Sequence, residues 1–251
     1  MQFTKQVRPL ILPEIAKLAS ECNTDLHMSR PFETKIVEWL SPVVDLSDFY
    51  VYPVNGITDA LDYWQWQETR TITADTGDYE WVVPRKGFPY TIKYMSVPSS
   101  IDGNWRHIPT SVPVALDLAY VGTTAPHYLE IPDNVEFVFY SLSKTFALSG
   151  FRTGWLFTRK RNPRLHRLVY CAEYYNTIAQ RLAEEVISRY HINYVYNLMV
   201  DEQRSICKQF NLTPSDCVWL ATSSDPQYEE FRRAGVARLC LTEFMGDGNV
   251  V

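Results

Sequence analysis

The chain has 251 residues, 46% of them hydrophobic and 14% aromatic, which is enough to bury a sizeable core and too apolar for a disordered segment. Its formal charge of −5 is modest and its Lys and Arg residues are scattered, which excludes the concentrated positive surface of a nucleic-acid or acidic-membrane binder. The cysteines at 22, 171, 207, 217 and 240 are odd in number and far apart, which excludes both a CxxC metal site and a secreted disulfide framework.

No apolar run approaches the ~20 residues that cross a bilayer, and MQFTKQVRPL lacks the apolar centre of a signal peptide. A soluble, cytoplasmic protein is expected, with small molecules or a second copy of itself as partner and no metal. In chain order, PEIAKLASEC and PFETKIVEWL read as helices, the second behind a Ser29-Arg30-Pro31 start suited to capping. They form an expected N-terminal helical segment, residues 1–49. At 53 the text changes to PVNGITDALDYWQW, a turn at Asn55-Gly56 that opens a helix. Short β-rich runs follow: TRTITA, WVV, TIKYMSV, SVPVALDLAY, NVEFVFYSLS and GWLFTRK. With helices around them they predict an α/β fold with a mostly parallel, buried central sheet. A long helical region is expected from Asn162-Pro163 to about Tyr190, and another over 194–210. CVWLAT, PQYEEFRRAG and VARLCLT then read strand, helix, strand, a small α/β unit over 191–251 beside the larger one over 50–190.

The chemistry concentrates in SLSKTFALSGFRTGW, which follows a strand and sets Lys144, Arg152 and Gly154 at fixed offsets behind Ser141. One short segment thereby offers an amine, which is nucleophilic only when unprotonated, and a guanidinium whose parallel donors suit a phosphate. This segment resembles the lysine signature S-x-[SA]-K-x7-R-x-G of the fold-type I, pyridoxal-phosphate-dependent enzymes, class I/II aminotransferase group. Every fixed position matches. A plain reading of any isolated Lys and Arg is a surface pair on a strand connection, but the matched positions together weigh against it.

The resemblance implies that Lys144 forms an internal Schiff base with pyridoxal 5'-phosphate, that Arg152 holds its phosphate, and that Ser141 and Ser143 add hydroxyl donors. Upstream, DLAY supplies Asp117 and Tyr120, 27 and 24 residues before the lysine. The family places there an acid that keeps the pyridine nitrogen protonated and a phenol that donates to the ring oxygen. Alone, such an Asp reads as a helix cap or a turn residue. NGITDAL resembles the family's glycine turn, with Gly56, Ile57 and Thr58 at a helix N-terminus facing the phosphate. Tyr79 in GDYEW matches the aromatic stacked on the ring, with Trp81 a competing choice and core packing the plain alternative.

Three departures qualify the resemblance. Ser100 in SVPSSIDGN stands where the family carries an asparagine, so one cofactor contact is expected to be lost or mediated by water. The stretch from there to Asp117 is short, which trims a crossover helix. The chain also ends, after Phe244 and Gly246, where the family's carboxylate-binding arginine is expected. Either Arg238 takes that role or the sequence is truncated. Truncation is favoured, and Arg238 is then a solvated strand-edge charge. The resemblance further implies transamination of an amino acid/keto acid pair in a homodimer, with CAEYYNTIAQ at 171–180 near the partner's phosphate or else filling the core. The alternatives are a catalytically degenerate pyridoxal-phosphate-binding module, a lyase of the same fold, and an α/β binding domain without cofactor.

Overall fold

The computed structural model describes residues 2–21 and 32–246, the side chains of 32–34 excepted. The Ser29-Arg30-Pro31 helix start and the last five residues lie outside it. Two helices open the chain, α1 (Pro13–Glu21) and α2 (Phe32–Leu40), as the sequence predicts. Strand β1 (Tyr50–Val54) leads into α3 (Gly56–Gln67). β2 (Thr71–Thr73), β3 (Thr91–Ser96), β4 (Val114–Asp117), β5 (Val135–Ser141) and β6 (Gly154–Thr158) follow.

These strands form one sheet in the order β1-β6-β5-β4-β3-β2, parallel from β2 to β5, with β6 antiparallel between β5 and β1. Alternation assigns their side chains to two cores. Val138, Tyr140, Trp155 and Phe157 face the core shared with α1 and α2, whereas Phe139, Leu156 and Ala115 face the one under α3. Both faces are covered, so the strands read as continuous apolar runs. α3 presents Ile57, Ala60, Leu61 and Trp64 at helical spacing to that second core. Each fully buried Leu or Phe in these layers contributes about 1.5–3 kcal/mol.

β1 was not expected, because the text from Pro53 onward reads as a turn, and Pro is disfavoured inside a sheet. It lies at the sheet edge, where a missing N–H is tolerated. WVV is not a strand: Val83 N–H donates to the Gln65 side chain at 2.8 Å, and the run forms turns. The helix expected over 162–190 is broken into α4 (Pro163–His166), a π-turn (Arg167–Cys171) and α5 (Thr177–Arg189). Asn162 caps α4, and Asn176 starts α5 by accepting from Ala179 N–H at 3.0 Å. A polar residue able to cap thus restarts the helix inside what looked like one run.

α6 (Tyr194–Phe210) leads to a second, antiparallel sheet of β7 (Thr213–Pro214), β8 (Leu220–Ser223), β9 (Arg232–Arg233) and β10 (Val236–Cys240), in the order β7-β8-β10-β9. PQYEEFRRAG is not an α-helix. Tyr228 and Phe231 are drawn into a ring cluster around Phe3, and Arg233 pairs with Val236 across a two-residue turn, Ala234-Gly235, in which both residues have positive φ. The N-terminal strap joins this sheet through Cys240 N–H donating to Thr4 O at 3.1 Å. No helix of the described residues is long and apolar enough to cross a membrane. Among the described residues, no group of three His, Cys, Asp or Glu could hold a metal ion.

Candidate active site

Apart from β6, the strands of the large sheet run in one direction, so the segments leaving their C-terminal ends converge on one edge, where α/β proteins bind ligands. Gly56 leaves β1, Ser100 follows β3, Asp117 ends β4, and Ser141 and Lys144 leave β5. Arg152 enters β6 at that same edge. Between them lies a cavity of about 680 Å³. Its walls include Ile57, Thr58, Tyr79, Ser100, Asp117, Tyr120, Ser141, Ser143, Lys144, Arg152 and Arg238. The residues singled out in sequence are therefore brought together, with Gly56 touching the same wall through Arg152. Trp81 is not part of it. Its indole donates to Asp62 on the outside of α3 at 2.8 Å.

Lys144 Nζ donates to Val7 O at 2.8 Å, and among the described residues no carboxylate pairs with it. Burial lowers its pKa. Its backbone is held by Trp219 Nε1, which donates to Lys144 O at 2.8 Å. Asp117 is buried and accepts from Tyr94 OH at 2.7 Å and Ala119 N–H at 2.8 Å. Burial outweighs these bonds and raises its pKa to about 6. The Tyr120 hydroxyl borders the cavity and makes no hydrogen bond among the described residues. Burial pushes this phenol up.

At the other end of the cavity α3 begins at Gly56, whose φ is +81°, and an ideal Cβ there would lie 2.8 Å from Arg152 Nη2. Arg152 forms no ion pair among the described residues and bonds only Ser149 O, at 3.3 Å. A guanidinium beside unsatisfied helix N–H groups is chemically an anion cradle. Thr58 and Tyr79 hydroxyls are hydrogen-bonded at 3.2 Å beside it.

Ser100 has its hydroxyl committed to Asp78 Oδ1 at 2.8 Å, and its carbonyl accepts from Arg238. Arg238 is no strand-edge charge in solvent. It is 5% exposed, and its Nη2 donates to Lys5 O at 2.6 Å. Sequence reasoning missed Asp78, the buried carboxylate that also accepts from Ser96 Oγ and Arg106. It missed as well the strap residues Lys5–Val7 and the hairpin residues Arg232 and Arg233. Asp78 stood beside the chosen Tyr79. Nothing in the sequence marked the strap.

The Aminotransferase class I and II family model matches residues 106–207. No curated protein matches the chain in sequence. Among solved structures, an aminotransferase from Staphylococcus aureus is 14% identical with a TM-score of 0.63, covering 96% of this chain and 89% of its own. Tyrosine aminotransferase from Leishmania infantum is 10% identical with a TM-score of 0.69, covering 93% and 87%. The PLP-bound C-S lyase from Staphylococcus hominis is 10% identical with a TM-score of 0.64, covering 94% and 84%.

The fold is that of the class I and II aminotransferases. Within this aminotransferase fold the matched segment 106–207 includes Asp117, Tyr120, Lys144 and Arg152, which meet at one end of the sheet.

Proposed function

We propose that this protein is a pyridoxal-phosphate-dependent aminotransferase that converts an amino acid and a keto acid through Lys144. The observation that carries the reading is the gathering of a desolvated amine, a buried carboxylate, an unpartnered phenol and an unpaired guanidinium at a helix N-terminus in one cavity. The donor set fits the cofactor at both ends. Arg152 and the first N–H groups of α3 would hold the phosphate, and the space left by the absent Gly56 side chain is what lets Arg152 reach them.

Pyridoxal phosphate, when bound, supplies an aldehyde for the lysine amine and a ring that takes up the electron pair of the substrate's α-carbon. Lys144 Nζ acts as the base. Desolvation makes the free amine accessible, so it can take a proton from the substrate carbon and return one. Asp117 would hold a cationic ring N–H, which restores the ionised form that burial disfavours. Tyr120 would donate to the ring oxygen. Ser141 and Ser143 would help at the phosphate end, and Tyr79 would lie against the ring. The Ser100 hydroxyl, committed to Asp78, leaves the contact that an asparagine would make unfilled. Arg238, cationic and without a carboxylate partner among the described residues, would take the substrate's α-carboxylate.

The proposal includes residues 50–190 as the cofactor-bearing unit and 191–251 as the smaller unit, in a cytoplasmic homodimer. The exposed Tyr174 favours the partner-facing reading of 171–180 over core filling. The test is the visible absorbance of the protein with added pyridoxal phosphate, before and after amino acids. A band fixed by borohydride in wild type and lost in Lys144→Ala, with keto-acid release, is expected. A borohydride-stable adduct in Lys144→Ala would overturn the lysine assignment. Release of a sulfur- or carboxyl-elimination product would reassign the reaction to a lyase.

A further inference from the structure

The cavity is strongly cationic. Its wall carries Lys144, Arg152, Arg238 and three more positive side chains, Lys5, Arg232 and Arg233, against the carboxylates of Glu80 and Asp117. The proposed function employs the first three and leaves the others unexplained. Lys5 and Arg232 are exposed, and Arg232 is ion-paired with Glu229 at 2.5 Å.

Arg233 is different. Its side chain is 21% exposed, and its Nε and Nη2 donate to two neutral carbonyls, Gly77 O at 2.6 Å and Asp78 O at 2.7 Å. The nearest carboxylate, Glu80, is 3.6 Å away and 87% exposed, so water screens it. Nη1 makes no hydrogen bond among the described residues. Arg233 pairs with Val236, two residues from Arg238 on β10, so both guanidiniums leave the same face of one hairpin. They act on each other. Burial is the main reason the Arg238 guanidinium is held below its usual value, and Arg233 adds to it. Two cations in a partly desolvated cavity, neither balanced by a buried carboxylate, are relieved by a ligand with two acidic groups.

We propose that Arg233 is a specificity residue that receives the second acidic group, carboxylate or phosphate, of a substrate whose α-carboxylate is held by Arg238. The substrates are then amino acids with an anionic side chain. This rests on the role of Arg238 given above.

The test uses three ligands that differ only at one end and carry no amine: succinate, 3-phosphonopropionate and butyrate. Their binding is measured by calorimetry on the cofactor-loaded protein and, separately, on the cofactor-free protein. Both dianions are expected to bind at least ~10-fold more tightly than butyrate, the size of one charge-assisted hydrogen bond. Whichever dianion binds more tightly identifies the side-chain group. Arg233→Gln should abolish that preference while leaving butyrate affinity unchanged, and Arg232→Gln should keep it. Equal binding of all three ligands by wild type overturns the proposal even if Arg233→Gln fails to fold. So does an equal loss for all three ligands in Arg233→Gln, which marks a purely structural residue. Failure of cofactor attachment at Lys144 strikes the proposed function instead, because the preference is still read on the cofactor-free protein.

Discussion

Gly56 and Arg152 are shaped to one another: a Cβ on residue 56 would sit 2.8 Å from Arg152 Nη2 and 3.1 Å from its Cζ. Behind them, a Cβ on Gly154 would lie 2.8 Å from Gly56 Cα. The obstacle in the first case is the end of a flexible side chain, and in the second it is backbone. Gly56→Ala should therefore fold, at about 1–2 kcal/mol lower stability from its positive φ. It should weaken pyridoxal phosphate and inorganic phosphate binding by roughly tenfold as Arg152 is displaced. Gly154→Ala should cost more, up to ~3 kcal/mol, because the strand and the helix start cannot both keep their places. Urea unfolding and phosphate titration measure both. The reverse order of damage would contradict the packing described.

Asp117 sets a pH dependence in the cofactor-free protein. Its folded pKa of about 6 lies above the unfolded value of 3.8, so the folded state holds this proton more tightly. Below about pH 4 both states are protonated and the carboxyl costs nothing. Between about pH 4 and 6 the unfolded chain ionises first, and stability falls as pH rises. Against Asp117→Asn, wild type should lose on the order of 2–3 kcal/mol across that window and then level off. Urea midpoints taken at half-unit pH steps would show it, and parallel curves for the two proteins would refute it.

Gln203 ties α6 to the small sheet. Its Nε2 faces the carbonyls of Ser215, Cys217 and Leu220 at 2.9, 3.0 and 2.9 Å. Gln203→Leu fills similar volume but leaves the Ser215 carbonyl without a donor among the described residues, while Cys217 O and Leu220 O keep Leu220 N–H at 3.0 Å and Ser215 N–H at 3.2 Å, at a cost of about 1–3 kcal/mol. The loss should appear in thermal or urea unfolding. The absorbance of added pyridoxal phosphate should be unchanged, since Gln203 does not border the cavity.

Much of the sheet and most of the candidate site were legible in the sequence. Runs such as NVEFVFYSLS are apolar on both faces because the sheet is covered on both, and a pattern of that kind needs no tertiary information. Lys144, Arg152 and Gly154 were equally readable, because one strand–turn–strand unit fixes their separation. β1 escaped because the text from Pro53 onward reads as a turn, and only the sheet order reveals the edge at which Pro is tolerated. The break at Asn176 could have been read as a cap, whereas the failed helix at 226–235 could not. There a ring cluster with Phe3, more than 220 residues earlier, overrides local propensity.

By itself, the sequence determined which groups the molecule can use: an amine and a guanidinium at offsets that one strand–turn–strand unit holds constant, and, through the resemblance of DLAY to the family pattern, an acid and a phenol. Only the tertiary structure decided how those groups are biased. Val7 reaches Lys144 across 137 residues, Lys5 reaches Arg238 across 233, and Arg233 closes on Gly77 across 156. Burial and the Coulomb field depend on distances in space, and separation along the chain does not encode them until the sheet edge and the hairpin have met.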